Sequence, residues 1–326
     1  MGYNKERYRT LKGIAYYMAL GVWYAFSLLP FWVLYILSDM IYGLLYYVVG
    51  YRKKVVRENL ASSFPEKSEE ELRRIERGFY HFLCDYLIES VKMMTMSKKN
   101  MRKRMVFKGT DLLQECLEKG QTCALYFGHY CNWEWVATLP LWVKTEPVQI
   151  ATIYHPLENL VADRLFLRLR SRIGCLCISM QDTLRVILDY HKRGIPMCIG
   201  YISDQKPYWT NIHHWVNFLN HDTPVLTGTE RVVRKMNQAA FYLDLHRVRR
   251  GYYEGEFKLI SDEPKKLKEF ELTDIYNSML EESIRRAPEF WLWSHKRWSR
   301  THEEFDRNWE VVDGKVMPKK TVESSL

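Results

Sequence analysis

The sequence places a histidine and a glutamate five residues apart, directly after a short apolar run. Gly128 ends the run 122–127 and predicts a sharp turn. That turn leaves His129 at the carboxyl edge of a sheet, where α/β proteins place their chemistry. Asn132 is a favourable N-cap, so Glu134 is expected in the first turn of the following helix. From there the Glu134 carboxylate can fold back onto the imidazole.

A carboxylate–imidazole pair of this kind is suited to general-base chemistry. The carboxylate keeps one ring nitrogen protonated, and the other nitrogen can then take a proton from an alcohol. We therefore predict His129 as a general base oriented by Glu134, with no serine or cysteine nucleophile. The competing hypothesis is a zinc site formed by His129, Cys131 and Glu134. It is disfavoured because no second Cys or His group has ligand spacing, and His213-His214 are adjacent.

Several segments resemble one protein family. Gly128-His129 followed by 132–134 (Asn-Trp-Glu) resembles the GHxGNWE signature of the late acyltransferases of lipid A biosynthesis, the lauroyl and myristoyl transferases of the lysophospholipid acyltransferase superfamily. Further matching segments are 55–60 leading to 64–66, 154–159 with Asp163, 170–174, Asp204-Gln205, 227–229 and 287–298. Matches in this order over most of the chain are far more specific than the histidine and glutamate alone.

The resemblance implies transfer of a fatty acyl chain from a thioester to a hydroxyl of a membrane glycolipid. The donor is usually acyl carrier protein, with acyl-CoA as the alternative co-substrate, and no further cofactor is expected. His129 matches the family's base and Glu134 its partner. Arg170 and Asp204 fall where the family carries further activity-supporting polar residues. An arginine fork suits phosphate or a developing oxyanion.

Three positions depart from the family pattern. Cys131 replaces a small residue, His155 stands where an arginine often follows the tyrosine, and Asn220 replaces a glycine. All three lie in expected substrate-contacting loops. The alternative is therefore the same chemistry on another acceptor, such as a phospholipid, an aminolipid or a glycosylated inositol lipid. A scaffold without chemistry is disfavoured because the polar set is intact.

The N-terminal region has the composition of a membrane anchor. Residues 14–37 carry no charge, which is long enough for the roughly 20 residues that cross a hydrocarbon layer, although Pro30 would kink the helix. A second apolar run, 40–51, is too short to span alone. We expect a retained anchor over 1–54 that either spans the membrane or lies in one leaflet. The alternative is a buried helix pair of a soluble protein.

The charge distribution supports the anchor. The chain has 48 Lys and Arg against 39 Asp and Glu, a net charge of +9. Seven of these cations and only two carboxylates lie within residues 1–54, flanking the apolar runs. Basic flanks suit an anionic cytoplasmic leaflet, and a basic surface also suits an acidic carrier protein. We expect a catalytic domain on the cytoplasmic face of a bacterial membrane.

A membrane-tethered nucleic-acid-binding protein is the alternative from another class, since the chain is basic and rich in aromatic residues. No recognised binding motif is present, so nucleic acid is not an expected partner. The seven cysteines are an odd number in apolar segments, which indicates reduced thiols. The sequence leaves the oligomeric state open.

From residue 106 short apolar runs alternate with helical patterns, which predicts an α/β fold. We expect a central mixed sheet flanked by helices, of the glycerolipid acyltransferase type, over residues 55–310, followed by a loosely ordered tail at 311–326. The predicted strands are 122–127, 148–154, 197–203, 239–248 and, more weakly, 257–260. The predicted helices are 111–118, 133–143, 158–172, 181–192, 225–237 and 273–286. Ser68 and Glu71 form a capping box that begins an earlier helix.

Overall fold

The computed structural model describes residues 14–319. The helices are α1 (Ile14–Leu28), α2 (Phe31–Gly43, continued by a π-helical segment at Leu44–Val49), α3 (Lys53–Ser63), α4 (Glu69–Lys92), α5 (Lys98–Arg104), α6 (Thr110–Glu118), α7 (Leu160–Ser171), α8 (Thr183–Lys192), α9 (Gly228–Met236), α10 (Glu271–Arg286) and α11 (His302–Asn308). The strands are β1 (Met105–Lys108), β2 (Cys123–Phe127), β3 (Gln149–Tyr154), β4 (Leu176–Ser179), β5 (Met197–Ile202), β6 (Ile212–Phe218), β7 (His221–Leu226), β8 (Ala239–Arg249), β9 (Tyr252–Ser261), β10 (Trp309–Val312) and β11 (Lys315–Pro318).

Seven of the strands form one mixed sheet in the order β1-β9-β8-β2-β5-β3-β4. Five run parallel to one another, and the antiparallel pairing of β8 with β9 reverses the direction of β9 and β1. Every residue of β2 is buried, as expected for a central strand covered by helices on both faces. The predicted α/β class with a central mixed sheet is confirmed.

The central strands follow the predictions closely. β2, β3, β5 and β8 begin and end within a residue of the predicted bounds, whereas β9 is longer than predicted. The edge strands β1 and β4 and the hairpin β6–β7 were not predicted. β1 and β4 have only four residues each, too few for a clear alternation of apolar and polar positions. The capping box of α4 is confirmed, with Ser68 and Glu71 satisfying each other's backbone.

The N-terminal apolar region is divided differently from the prediction. The chain breaks at Pro30, whose φ of −65° and ψ of 154° end the first helix instead of merely kinking it. The expected single helix over 14–37 is therefore wrong. The long apolar helix is Phe31–Val49, which has 19 residues and a mean hydropathy of 1.5, long and apolar enough to cross a membrane. Little of it is buried, and Trp32, Ile36 and Met40 are exposed.

One face of this helix is nonetheless held to the rest of the protein by polar contacts. The Ser38 hydroxyl donates to Asp85 of α4 at 2.8 Å. Arg250, at the turn between β8 and β9, donates to both Asp39 and Asp85 at 2.6 Å. The apolar helix thus presents one face to its surroundings and packs the other against α4.

The C-terminal region is more ordered than predicted. β10 and β11 form an antiparallel hairpin, and Val316 packs with Phe305 and Ile212 in a small separate cluster. The expected loose tail over 311–326 is therefore wrong for residues 311–318. Its last residues, 320–326, lie outside the described part of the chain, as do four of the N-terminal cations, Lys5, Arg7, Arg9 and Lys12.

Candidate active site

The structure brings His129 and Asp204 together at the carboxyl edge of the sheet. β2 and β5 are parallel neighbours, with Phe127 opposite Ile202. Each strand is followed within two residues by one of the polar side chains, so both reach the same edge. His129 Nδ1 lies 2.6 Å from Asp204 Oδ1, and the His129 backbone N–H donates to Asp204 Oδ2 at 2.8 Å.

Asp204 is an ionised, buried carboxylate. Only 3% of the residue is exposed, and the Trp291 indole N–H donates to its Oδ2 at 2.9 Å. Burial alone would raise the pKa of Asp204. The charge of His129, its hydrogen bonds and the hydrogen bond from Trp291 instead hold the pKa at about 2. An ionised carboxylate only accepts hydrogen bonds, so Nδ1 of His129 carries its hydrogen and Nε2 is the acceptor nitrogen. Nε2 lies 3.4 Å from the Gln205 amide nitrogen.

Gly128 allows this close approach between the two loops. A Cβ at this position would lie 2.7 Å from Leu280 Cδ1 and 3.2 Å from Asp204 Oδ2. The sharp turn predicted at Gly128 is instead made at Cys131, which has a φ of 49°. Gly128 is therefore required by space, because any side chain there would press against the Asp204 carboxylate and α10.

A strand-like segment behind the turn holds the histidine loop in place. The backbone N–H of Leu292 donates to the His129 carbonyl at 3.1 Å, and that of Cys131 donates to the Phe290 carbonyl at 3.0 Å. Asn59 of α3 donates in turn to the carbonyls of Trp293 and His295 at 2.8 and 3.0 Å. These contacts give a physical role to the segments around 59 and 287–298, which belong to the family resemblance.

Glu134 does not contact the imidazole as predicted. Asn132 caps the 3₁₀ helix Trp133–Leu141, as expected, by accepting from the Trp135 N–H at 3.2 Å. Both oxygens of Glu134, however, bind Arg170 of α7, with Arg170 Nε at 2.7 Å and Nη2 at 2.5 Å. The predicted His129–Glu134 contact is thus replaced by two pairs, His129–Asp204 and Glu134–Arg170.

The physical reason is the burial of Arg170. Glu134 is 3% exposed and the Arg170 side chain 21% exposed, and a guanidinium in such a place requires a carboxylate. The fork of Arg170 engages both carboxylate oxygens at once. Burial lowers the pKa of Arg170, but Glu134 more than offsets this and raises the pKa above its ordinary value. Local spacing could not show either long-range partner.

Aromatic side chains line the histidine. The imidazole packs edge-on against Trp133, with ring centroids 5.2 Å apart. Trp133 stacks on Tyr86 of α4 at 4.0 Å, and the Tyr86 hydroxyl lies 3.4 Å from Glu134 Oε1. Trp133 therefore contacts the His129 ring and also packs against the residue that borders the Glu134–Arg170 pair.

A buried glutamate behind the site, Glu89 of α4, has no signal in the sequence that would mark it. It accepts from the Asn132 amide and the Tyr253 hydroxyl at 2.8 Å each, and from the Tyr35 hydroxyl of α2 at 3.0 Å. Burial, with the charge of Asp85, raises the pKa of Glu89 to about 7. Glu89 thus links the apolar helix to the residue that caps the active-site turn.

The three side chains of the disfavoured zinc hypothesis are directed to different partners. The buried Cys131 thiol lies 3.8 Å from the Leu245 carbonyl, while His129 faces Asp204 and Glu134 faces Arg170. All seven cysteines are free thiols, and five of them are buried. Cys131 is therefore part of the packing behind the turn.

Of the other two departures, Asn220 has a structural explanation and His155 has none. Asn220 has a φ of 64°, the left-handed conformation that favours glycine and that asparagine tolerates best among the other residues. Its amide donates to the Ser63 carbonyl at 2.9 Å. His155 is exposed, and its Nδ1 lies 3.0 Å from the carbonyl of Pro156.

The sheet, its helices and the His129–Asp204 pair at its carboxyl edge are those of an α/β enzyme that carries its polar residues after parallel strands. A profile of the bacterial lipid A biosynthesis acyltransferase family matches residues 2–300. The chain belongs to that family, and it is an O-acyltransferase.

Curated relatives cover nearly the same length. The chain is 22% identical over 284 residues to a lipid A biosynthesis acyltransferase of Haemophilus influenzae. This match covers 84% of this chain and 86% of the relative. It is 25% identical over 283 residues to the lipid A biosynthesis palmitoleoyltransferase of Escherichia coli, covering 86% of this chain and 90% of the relative. These matches confirm the resemblance found in the sequence.

Proposed function

We propose that the protein transfers a fatty acyl chain from an acyl thioester on acyl carrier protein to a hydroxyl of a lipid A precursor. The names of the family and of the relatives support the acceptor class. The observation that carries the chemistry is the contact of 2.6 Å between His129 Nδ1 and the buried, ionised Asp204. This contact leaves Nε2 as a base at the edge of the sheet.

In the proposed reaction His129 Nε2 takes the proton of the acceptor hydroxyl as its oxygen attacks the thioester carbonyl. The tetrahedral intermediate then collapses, the carbon–sulfur bond breaks, and the proton on His129 passes to the leaving thiolate. Asp204 keeps the imidazole in the required tautomer and stabilises its cationic form. General-base assistance of this kind contributes a rate factor of about 10²–10⁴.

Glu134 and Arg170 act in this proposal as positioning residues. Their bidentate pair joins the first turn after His129 to α7, and both Glu134 oxygens are taken up by it. Arg170 is therefore matched to Glu134 rather than to a substrate phosphate or an oxyanion. The pair keeps Trp133, and with it the imidazole, in a fixed position.

We further place the enzyme on the cytoplasmic face of the membrane. The exposed face of Phe31–Val49 is apolar, and the chain continues directly into Arg52, Lys53 and Lys54. Cations beside an apolar helix are attracted to anionic headgroups at the cytoplasmic leaflet. In this placement the enzyme and a lipid acceptor share one membrane surface.

The experiment that tests the proposal is an assay of the purified full chain in mixed micelles with an acyl carrier protein thioester and a lipid A precursor. Mass spectrometry should show a product heavier by one acyl chain. His129→Ala should abolish this product, whereas His191→Ala, at an exposed position in the last turn of α8, should leave the rate unchanged. Full activity of His129→Ala would refute the mechanism.

The acceptor is tested separately in cells. Lipids extracted from cells that lack the protein should contain a lipid A species short of one acyl chain. Normal lipid A together with an altered phospholipid, aminolipid or inositol lipid would keep the chemistry and refute the proposed acceptor.

A further inference from the structure

Two segments next to His129 bring four cations together without any acidic residue. The segment 205–209 contains Lys206, and the segment 294–300 contains Lys296, Arg297 and Arg300; neither contains Asp or Glu. Lys206 donates to the Ser299 hydroxyl at 2.5 Å, and Arg300 donates to the Pro207 carbonyl. The two segments therefore bind each other, which holds their cations in one cluster. We call Lys206, Lys296, Arg297 and Arg300 the basic cluster.

The basic cluster lies beside the proposed base. Gln205, which contacts His129 Nε2, is directly followed by Lys206. His295 directly precedes Lys296 and is close to Asp204, Arg297, His129 and Lys206. Burial, together with the charges of the neighbouring cations, lowers the pKa of His295 to about 4. A ligand held by the cluster would thus be within reach of the reacting groups.

No salt bridge joins these cations to a carboxylate in the part of the chain that the structure describes, although the charge of Asp204 partly opposes the burial that lowers the pKa of Arg297 to about 10. Lys206 and Arg300 are half-buried and donate to neutral oxygens, and the Arg300 guanidinium also lies 5.3 Å from the centroid of the Trp209 ring. Arg297 is 1% exposed and donates Nη2 to the Pro224 carbonyl, but its Nε and Nη1 have no hydrogen-bond partner. Burial and the charges of its neighbours lower the pKa of Lys206. The cations of the cluster repel one another, and a bound anion would offset this repulsion.

The cluster also lies beside the polar end of the apolar helix. Arg52 follows Val49 by three residues, and its Nη1 donates to the Ser294 carbonyl at 2.9 Å. Ser294 begins the segment that carries three of the four cations. Lipid phosphates lie at this boundary between apolar and polar surroundings, and clusters of Lys and Arg next to a membrane helix are typical of phosphate headgroup binding.

We propose that the basic cluster binds a phosphate group of the acceptor lipid and thereby places the acceptor hydroxyl next to His129. This inference rests on the proposed acyl transfer and adds the group by which the acceptor is recognised. Lysine and arginine recognise phosphate through charge-assisted hydrogen bonds, which are stronger than neutral ones. The position beside Arg52 favours a membrane lipid over the phosphate of the donor's prosthetic arm.

Binding is tested first without turnover. The detergent-solubilised full chain is titrated calorimetrically with dihexanoyl phosphatidic acid, a soluble lipid with a bare phosphate, and with dihexanoyl phosphatidylcholine. We expect Lys206→Gln/Arg300→Gln to weaken binding of phosphatidic acid about 10- to 100-fold, since two charged contacts are lost. The control Lys265→Gln/Lys268→Gln removes two exposed cations before α10 and should leave the affinity unchanged. Equal affinity of the double variant and the wild type would overturn the proposal.

A single change at an exposed position guards against misfolding of the double variant. Lys296 is exposed, and Lys296→Gln should weaken the binding of phosphatidic acid about 3- to 10-fold. The thermal unfolding of this variant should match that of the wild type. If the double variant does not fold, Lys296→Gln decides alone. Wild-type affinity of Lys296→Gln for phosphatidic acid would then contradict the proposal.

The kinetic arm separates the two sources of phosphate. With acyl carrier protein thioester and lipid A precursor, Lys296→Gln and the double variant should raise the KM for the acceptor and leave the KM for the donor unchanged. A raised KM for the donor alone would assign the cluster to the donor phosphate and refute a lipid site. If the wild type shows no acyl transfer, the proposed function fails, and the calorimetric result still decides whether the cluster binds lipid phosphate.

Discussion

Replacing Asp204 by asparagine removes one charge from the site and keeps its shape. In the wild type the pKa of Asp204 lies at about 2, although burial raises it, because His129 and Trp291 favour the carboxylate. The difference from the ordinary value of 3.8 corresponds to about 2–3 kcal/mol, which is a rate factor of roughly 30 to 150. This figure is the net result of burial, which disfavours the carboxylate, and of His129 and Trp291, which favour it.

A second effect of Asp204→Asn adds to the loss of activity. The amide of an asparagine can donate to Nδ1 of His129, which places the ring hydrogen on Nε2 and removes the base. In a serine protease triad the equivalent change lowers kcat by about 10⁴. We therefore expect Asp204→Asn to lower kcat about 10²- to 10⁴-fold, with little change in the KM for either substrate.

The assay is kcat measured against pH with acyl carrier protein thioester in mixed micelles. Asp274→Asn is the matched control, because Asp274 also lies 2.6 Å from a histidine nitrogen, that of His214, but its side chain is 52% exposed, whereas that of Asp204 is 2% exposed. This control should retain full activity. Asp204→Asn within threefold of the wild type would refute the role given to Asp204.

The same variant has a readout that does not require turnover. A carboxylate whose folded pKa is lowered stabilises the protein above its unfolded pKa of about 4, and this contribution is lost as the pH falls towards 2. Urea unfolding of the wild type should therefore lose about 2 kcal/mol between pH 5 and pH 1 that Asp204→Asn does not lose. Identical pH dependence of the two proteins would contradict an ionised Asp204.

Three further changes test other parts of the structure. Glu134→Gln leaves Arg170 buried without a countercharge and should lower the free energy of unfolding, measured with urea, by about 3–5 kcal/mol. Glu134→Gln/Arg170→Met should recover part of this lost stability. A double variant no more stable than the single one would refute the pairing. Ile36→Lys places a charge on the exposed face of the apolar helix and should reduce sedimentation with vesicles without changing the circular dichroism spectrum; undiminished sedimentation would argue against that face as the membrane contact. Glu89 has a pKa raised to about 7, so its contribution to stability is present below about pH 4 and is lost as the pH rises through 7. The urea midpoint of the wild type should therefore fall between pH 5 and pH 8, and Glu89→Gln should flatten this decline. An unchanged slope would contradict a protonated Glu89.

The central part of the fold was predictable because its signals are local. The buried run at β2 and the apolar runs at β3, β5 and β8 each have enough β-favouring residues to be recognised alone. The edge strands β1 and β4 are short and depend on their neighbours, so their sequences carry little independent signal. The sequence predicts a kink at Pro30, but whether the helix ends there depends on how the two flanking segments pack against α4.

The composition of the site was predictable, and its pairing was not. By itself the sequence determined that His129 follows a strand, that Asn132 caps the next turn, and that Glu134, Arg170 and Asp204 belong to one family pattern. Only the tertiary structure decided which carboxylate meets the imidazole. β2 and β5 are adjacent and parallel, so their loops bring residues 75 positions apart to 2.6 Å. Strand order is set by packing across the whole sheet, and five-residue spacing carries no information about it.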